Sequence, residues 1–220
     1  MKFVVQPGGQ FTGEHRVPGD KSMSHRAVML GSLAEGVTAV AGFLEGEDAL
    51  RTIAAFRQMG VAIEGPDAGS LTITGVGLHG LKAPDQALDL GNAGTGMRLF
   101  AGILAGQTFD SELVGDASLM QRPMGRVINP LSKMGARIDA LSEGRPPLVI
   151  SGGQSLQGIH YDLPIASAQV KSCVLLAGLY ARGRTSITEP APTRDHTERM
   201  LSGFGYDVDN TNGVIGLDGG

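Results

Sequence analysis

One local pattern occurs three times in this sequence: Gln58-Met59-Gly60-Val61-Ala62-Ile63-Glu64, Lys133-Met134-Gly135-Ala136-Arg137-Ile138-Asp139 and Gly203-Phe204-Gly205-Tyr206-Asp207-Val208-Asp209. The central glycines, Gly60, Gly135 and Gly205, lie 75 and 70 residues apart. Each pattern reads as a helix closed by glycine just past its C-cap, followed by a strand. A second series, Ala34-Glu35-Gly36, Leu104-Ala105-Gly106 and Ala181-Arg182-Gly183, closes an apolar helix and opens a β-rich run at 37–44, 108–114 and 185–188. Two independent series with similar spacing define a repeat of about 70 residues, longer than the roughly 20–50 of common solenoid repeats. The chain is therefore predicted to fold as three small α/β units around a shared core rather than as an open array.

Each unit reads helix, strand, helix, strand, strand. The first helices fall at 22–34, 95–105 and 167–181. The second helices fall at 48–59, 122–134 and 194–204. The closing strands include Leu71-Thr72-Ile73-Thr74, Leu148-Val149-Ile150-Ser151 and Val214-Ile215-Gly216-Leu217. With a strand ahead of each first helix, the unit is βαβαββ. The expected fold class is α/β (α+β), with repeats at about 18–80, 85–152 and 158–218 related by pseudo-threefold symmetry.

The composition narrows the function classes. The chain is 41% hydrophobic and 18% charged, with no run near the ~18 apolar residues of a membrane-spanning helix. The first residues, Met1-Lys2-Phe3-Val4-Val5-Gln6-Pro7, form no signal-peptide core. A single cysteine, Cys173, rules out an intrachain disulfide framework and fits a reducing cytoplasm. Cys173 itself, among Val170, Val174, Leu175 and Leu176, reads as a core residue. A net charge of −4 argues against general nucleic-acid binding and membrane attachment. The five histidines, His15, His25, His79, His160 and His196, show no metal-ligand spacing, so no metal is expected.

Against that acidic background, Pro18-Gly19-Asp20-Lys21-Ser22-Met23-Ser24-His25-Arg26 places an ammonium, two hydroxyls and a guanidinium at the start of a helix. A helix start has free N–H groups and partial positive charge, so Lys21, Ser22 and Arg26 suit a doubly charged anion such as a phosphate ester. The other first helices open on Asn92-Ala93-Gly94-Thr95-Gly96 and Ala166-Ser167-Ala168-Gln169. Each repeat thus puts a hydroxyl residue, Ser22, Thr95 or Ser167, at a helix start. Any one of them suits an N-cap; pseudo-symmetry offers all three to one surface. Arg98 follows Gly94 by four residues, as Arg26 follows Ser22. Gln121-Arg122-Pro123-Met124 opens a second helix, with Pro123 in its first turn. Thr193-Arg194-Asp195 opens the last, with Thr193 as N-cap, and Arg194 is free to bind an anion or pair with an acid. No Walker loop, dinucleotide fingerprint or nucleophile elbow is present.

These motifs, together with Leu90-Gly91-Asn92-Ala93-Gly94-Thr95-Gly96-Met97-Arg98 and Ser167-Ala168-Gln169-Val170-Lys171-Ser172, resemble the enolpyruvyl transferase family, in its shikimate branch. The resemblance runs through nearly the whole chain. It implies one lobe of a two-lobed fold, each lobe built of three βαβαββ units. It implies that Lys21, Ser22, Arg26, Ser167, Ala168, Gln169 and Arg194 bind shikimate 3-phosphate. It implies that Lys21, Gly94, Arg122 and Gln169 bind phosphoenolpyruvate, supported by Asn92, Thr95 and Asp48. Lys21 is the implied catalytic residue, moving a proton or offsetting charge, and no cofactor is implied. Residues 18–220 would be the N-terminal lobe. Residues 1–17 would pack with a complementary C-terminal lobe that carries the general base and further cations. The chain alone is then expected to be inactive, and the full-length enzyme a cytoplasmic monomer.

Two departures bear on the branch. Thr95-Gly96-Met97-Arg98-Leu99 has Gly and Leu where the better-known members have Ala and Pro, and Ala168 replaces a Ser. Both point to a divergent bacterial group, some members of which tolerate glyphosate. A sister branch acting on UDP-N-acetylglucosamine shares the fold, but Lys21-Ser22-Met23-Ser24-His25-Arg26 fits the shikimate branch and the sister's mid-chain loop cysteine has no counterpart. A non-catalytic anion-binding module is the alternative of a different class.

Overall fold

A computed structural model describes residues 2–10 and 12–220. Among the described residues six α-helices run in chain order: α1 (Lys21–Leu33), α2 (Glu47–Gln58), α3 (Gly94–Ala105), α4 (Gly125–Lys133), α5 (Ala168–Gly178) and α6 (His196–Gly203). The strands are β1 (Glu35–Ala41), β2 (Ala62–Asp67), β3 (Ser70–Val76), β4 (Leu88–Asp89), β5 (Ser111–Val114), β6 (Arg137–Leu141), β7 (Arg145–Ser151), β8 (His160–Asp162), β9 (Gly183–Thr188), β10 (Asp209–Thr211) and β11 (Val214–Gly219). They form three sheets, ordered β1-β3-β2, β4-β5-β7-β6 and β10-β11-β9-β8.

The second and third units are complete. In each, the strand ahead of the first helix pairs in parallel with the strand after it, β4 with β5 and β8 with β9. The other pairings between these strands are antiparallel. The first unit departs from the expected βαβαββ: its sheet has three strands, and no strand precedes α1 among the described residues. Pro7, Gly8 and Gly9 interrupt that stretch, since proline removes a ladder donor and glycine weakens a strand. Phe3, Val4, Val5 and Val17 are exposed there. Of the segment 1–17, Met1 and Phe11 lie outside the described residues.

The first helix of each unit lies inside and the sheets lie outside. Helix α3 is apolar all round beyond Arg98, and Leu99, Phe100, Ala101, Ile103 and Leu104 are buried, as a helix enclosed by its neighbours must be. It packs along α5, and α1 touches both α3 and the inner face of β3. Helices α2, α4 and α6 have one buried stripe and cover the seams, α2 on α1, α4 on α3 and α5, α6 on α1 and α5. Gly60, Gly135 and Gly205 have φ of +87°, +102° and +86°, the left-handed conformation required past a helix C-cap. Among the described residues, no helix is long and apolar enough to cross a membrane.

The α3–α5 contact is backbone against backbone. A Cβ at Gly102 would fall on the Cys173 carbonyl oxygen and 3.2 Å from its Cα. Cys173 is fully buried, and burial pushes its thiol pKa well above the usual range. Gly102→Ala must wedge the two central helices apart, and overpacking of this kind costs roughly 1–3 kcal/mol. Urea unfolding should show that loss, whereas Gly203→Ala on open surface should not.

His25 joins α1 to α2 through a 2.7 Å contact between Nδ1 and Thr52 Oγ1. Burial is the first cause that lowers its pKa to about 4, with the Lys21 and Arg26 charges adding to it. A histidine held neutral in the fold and titrating near 6.5 when unfolded gives its full stability above pH 6.5. That stability drains as pH falls through 6.5 towards 4, by about 3 kcal/mol. Urea midpoints measured across this window should fall more steeply for the parent chain than for His25→Gln; parallel curves would contradict the assignment.

Candidate functional site

The helix starts place most of the expected residues, though not by the capping pattern read from sequence. Asp20, not Ser22, caps α1: its Oδ1 accepts from the Met23 N–H at 2.8 Å. This leaves the Lys21 and Ser22 N–H groups at the open end of the helix. Ser22 and Thr95 lie within the first turns. Ser167 alone of the three hydroxyls is an N-cap, accepting from Val170 N at 3.3 Å. Thr95 Oγ1 instead accepts from Gln169 Nε2 at 2.9 Å, tying the start of α3 to the start of α5.

Lys21 is half exposed, and its Nζ donates to Asp48 Oδ2 at 3.0 Å. Asp48 sits in the first turn of α2, so two helix starts fix one ammonium. Arg26 is buried. Its Nε donates to Thr197 Oγ1 at 2.7 Å, Nη2 to Ser172 Oγ at 2.7 Å and Nη1 to the Ser22 carbonyl at 2.9 Å. These bonds knit α1, α5 and α6 together. Burial, then the nearby Arg194 charge, lowers its pKa to about 10, opposed by Glu198. Arg26 and Arg194 thus converge, although they lie in different repeats.

A second cationic cluster lies over α3. A Cβ at Gly94 would stand 2.9 Å from Arg122 Nη1 and 3.3 Å from Arg98 Nη1, so glycine lets two guanidiniums close over the first turn. Burial and the charges of Arg122 and Arg126 lower the Arg98 pKa. Arg98 Nη1 donates to Gln169 Oε1 at 3.0 Å, which fixes the amide of Gln169 between Arg98 and Thr95. Arg122 Nη2 donates to Asn92 Oδ1, and Asn92 Nδ2 to Asp116 Oδ2 at 2.7 Å. The Asn92 hydrogen bond is the first cause lowering the Asp116 pKa.

Two expected helix starts move. Arg122 is extended, after a short 3₁₀ turn at Leu119–Gln121, and α4 begins only at Gly125. Pro123 precedes that helix instead of filling its first turn. Helix α6 begins at His196 with Asp195 at its N-cap, so Arg194 lies in the preceding loop. Thr193 is no cap; its hydroxyl donates to Glu189. In both places an arginine leaves the helix and gains freedom to face the central helix starts.

Sequence reasoning passed over Ser172 and Thr197, which hold Arg26, and a buried triad of Lys171, Glu189 and Glu198. The available signal was Lys171 itself, a charge amid Val170, Cys173 and Val174 on a helix with no polar face. Among the described residues, no cluster of three or more His, Cys, Asp or Glu could hold a metal ion. What the arrangement offers is a ring of cations, amides and helix N–H groups at the starts of α1, α3 and α5. It is suited to an anion with more than one charged group.

Comparison with known proteins agrees. Residues 5–220 match the family model for EPSP synthase (3-phosphoshikimate 1-carboxyvinyltransferase). The chain is 64% identical to the 3-phosphoshikimate 1-carboxyvinyltransferase of Alkalilimnicola ehrlichii over 220 residues, covering all of this chain and 49% of that one. Against the same enzyme of Methylococcus capsulatus, identity is 68% over 206 residues, 94% of this chain and 47% of that one. The solved EPSP synthase of Acinetobacter baumannii superposes with a TM-score of 0.93 at 63% identity, covering 94% of this chain and 47% of that one. The chain spans about half the length of these relatives. It belongs to the EPSP synthase family and corresponds to the N-terminal portion of its members.

Proposed function

We propose that this chain is the shikimate 3-phosphate-binding lobe of an enzyme that transfers the enolpyruvyl group of phosphoenolpyruvate to the 5-hydroxyl of shikimate 3-phosphate. The observation that carries the reading is the meeting of two cationic clusters at one set of helix starts. Lys21, Arg26 and Arg194 stand by α1 and α5, and Arg98 and Arg122 stand over α3. Each substrate bears a phosphate and a carboxylate, so together they need more than one cationic centre.

In this reading the sugar phosphate sits against the N–H groups of α1, Lys21, Ser22, Arg26 and Arg194, with Ser167, Ala168 and Gln169 along its ring. Phosphoenolpyruvate lies over Gly94, against Arg122 and Lys21, with Asn92, Thr95 and Gln169 completing the pocket. The 5-hydroxyl adds to C2 of the enolpyruvyl group, with a proton added at C3. The tetrahedral adduct then expels phosphate as a proton leaves, regenerating the double bond. Asp48 aims the Lys21 ammonium at the space between the two anions, where it transfers a proton or offsets developing charge. The complementary lobe supplies the general base and closes the site. The single buried cysteine fits work in the cytoplasm.

Calorimetry tests the reading on this chain. Shikimate 3-phosphate should bind weakly at one site, UDP-N-acetylglucosamine should not, and no turnover should follow addition of phosphoenolpyruvate. Lys21→Ala should lower shikimate 3-phosphate affinity by about tenfold or more, the scale of one charged hydrogen bond. Its melting temperature should stay unchanged, because Lys21 is exposed. Absence of binding by a folded chain, or turnover without the second lobe, would contradict the proposal.

A further inference from the structure

The buried triad that the sequence reading passed over has a structural consequence for this site. Lys171 is 1% exposed. Its Nζ lies 2.8 Å from Glu189 Oε2 and 2.6 Å from Glu198 Oε1. The Glu189 contact is a well-formed hydrogen bond, whereas Glu198 is held by charge alone, without hydrogen-bond geometry at either oxygen. A buried ion cluster is seldom the cheapest way to stabilise a core, since apolar residues of the same volume serve as well or better. Its presence is better explained by what it fixes.

It fixes two things. Glu189 follows the last residue of β9 and accepts the Thr193 hydroxyl on its second oxygen, so it folds the 189–195 loop back onto α5. Arg194 is the next residue in that loop. Glu198 neighbours Thr197, and Lys171 neighbours Ser172, the two hydroxyls that hold Arg26. The Thr197 hydroxyl also donates to Ser172 Oγ at 2.7 Å. Two positive and two negative charges therefore interlock: Lys171 and Arg26 against Glu189 and Glu198. Among the described residues no carboxylate lies within ion-pair distance of Arg194, which stands exposed on the rim with its charge set against that of Arg26.

We infer that Lys171 is a positioning residue: through Glu189 and Thr193 it holds the loop that presents Arg194 to the anion bound beside Arg26. It touches no substrate. The inference rests on the shikimate 3-phosphate reading above, and it adds the device that keeps two like charges facing one site. Freed from Glu189, the loop would let Arg194 turn to solvent, and the anion would lose one of its cations.

Removing Lys171 outright strands two buried carboxylates and threatens folding. The decisive variant is Thr193→Val, which cuts only the hydroxyl link. Titration of the chain with shikimate 3-phosphate should show about tenfold weaker binding for Thr193→Val, and recovery in Thr193→Ser. In an Arg194→Ala background, Thr193→Val should weaken binding no further, because both changes remove one contact. Lys171→Met, where it folds, should behave like Thr193→Val, with Lys171→Arg closer to the parent. Parent-like affinity in Thr193→Val, or losses that add to Arg194→Ala, would overturn the inference while leaving the site intact. An Arg194→Ala chain that binds as well as the parent would overturn it too. A folded parent chain that fails to bind would overturn the functional reading and this inference with it.

Discussion

The buried guanidinium of Arg26 is the interaction on which the rest of the structure turns. Taking a charge out of water is costly unless its donors are met, and all three of its nitrogens donate, to Thr197, Ser172 and the Ser22 carbonyl. These partners come from α6, α5 and α1, the first two in the third repeat and the last in the first. The guanidinium can be buried only when the repeats have closed on each other. Assembly of the fold and assembly of the candidate anion site are therefore one event.

The same economy governs α3. Its first turn carries Gly94 because Arg122 and Arg98 occupy the space a side chain would fill. The Arg98–Gln169–Thr95 bridge then locks α3 to α5. Burial first, and then the charge of neighbouring arginines, lowers the pKa of both Arg26 and Arg98. An incoming phosphate or carboxylate offsets those charges. A cluster of like charges of this kind favours anions over neutral sugars.

Much of this was legible in the sequence, for identifiable reasons. Gly60, Gly135 and Gly205 exposed the repeat because a left-handed residue past a helix end admits few alternatives. Lys21, Gly94 and Ser167 were legible because helix starts are marked locally. Other features depend on contacts far along the chain. Gly106 matches Gly36 and Gly183 by position, yet its φ is −92° and it is needed because the Tyr180 ring fills the space of a Cβ. The late start of α4 goes with Arg122 reaching Asn92, 30 residues away; that of α6 goes with a local contact, Thr193 to Glu189, which replaces the expected cap. Lys171 carried a signal as a charge on an apolar helix, but its carboxylates, just past β9 and in α6, lie 18 and 27 residues along the chain (189−171 and 198−171). The strand expected before α1 was read from the pattern of its sister units rather than from its own residues, and none is formed among the described residues.

The account makes Arg26 and the start of α1 the seat of a phosphate ester. A crystal structure of this chain with shikimate 3-phosphate tests that claim most directly. The phosphate should lie within hydrogen-bond distance of the Lys21 or Ser22 N–H and of the Arg26 guanidinium, with Arg194 turned towards it. A phosphate bound elsewhere on the chain, with Arg26 and the α1 start untouched, would contradict it.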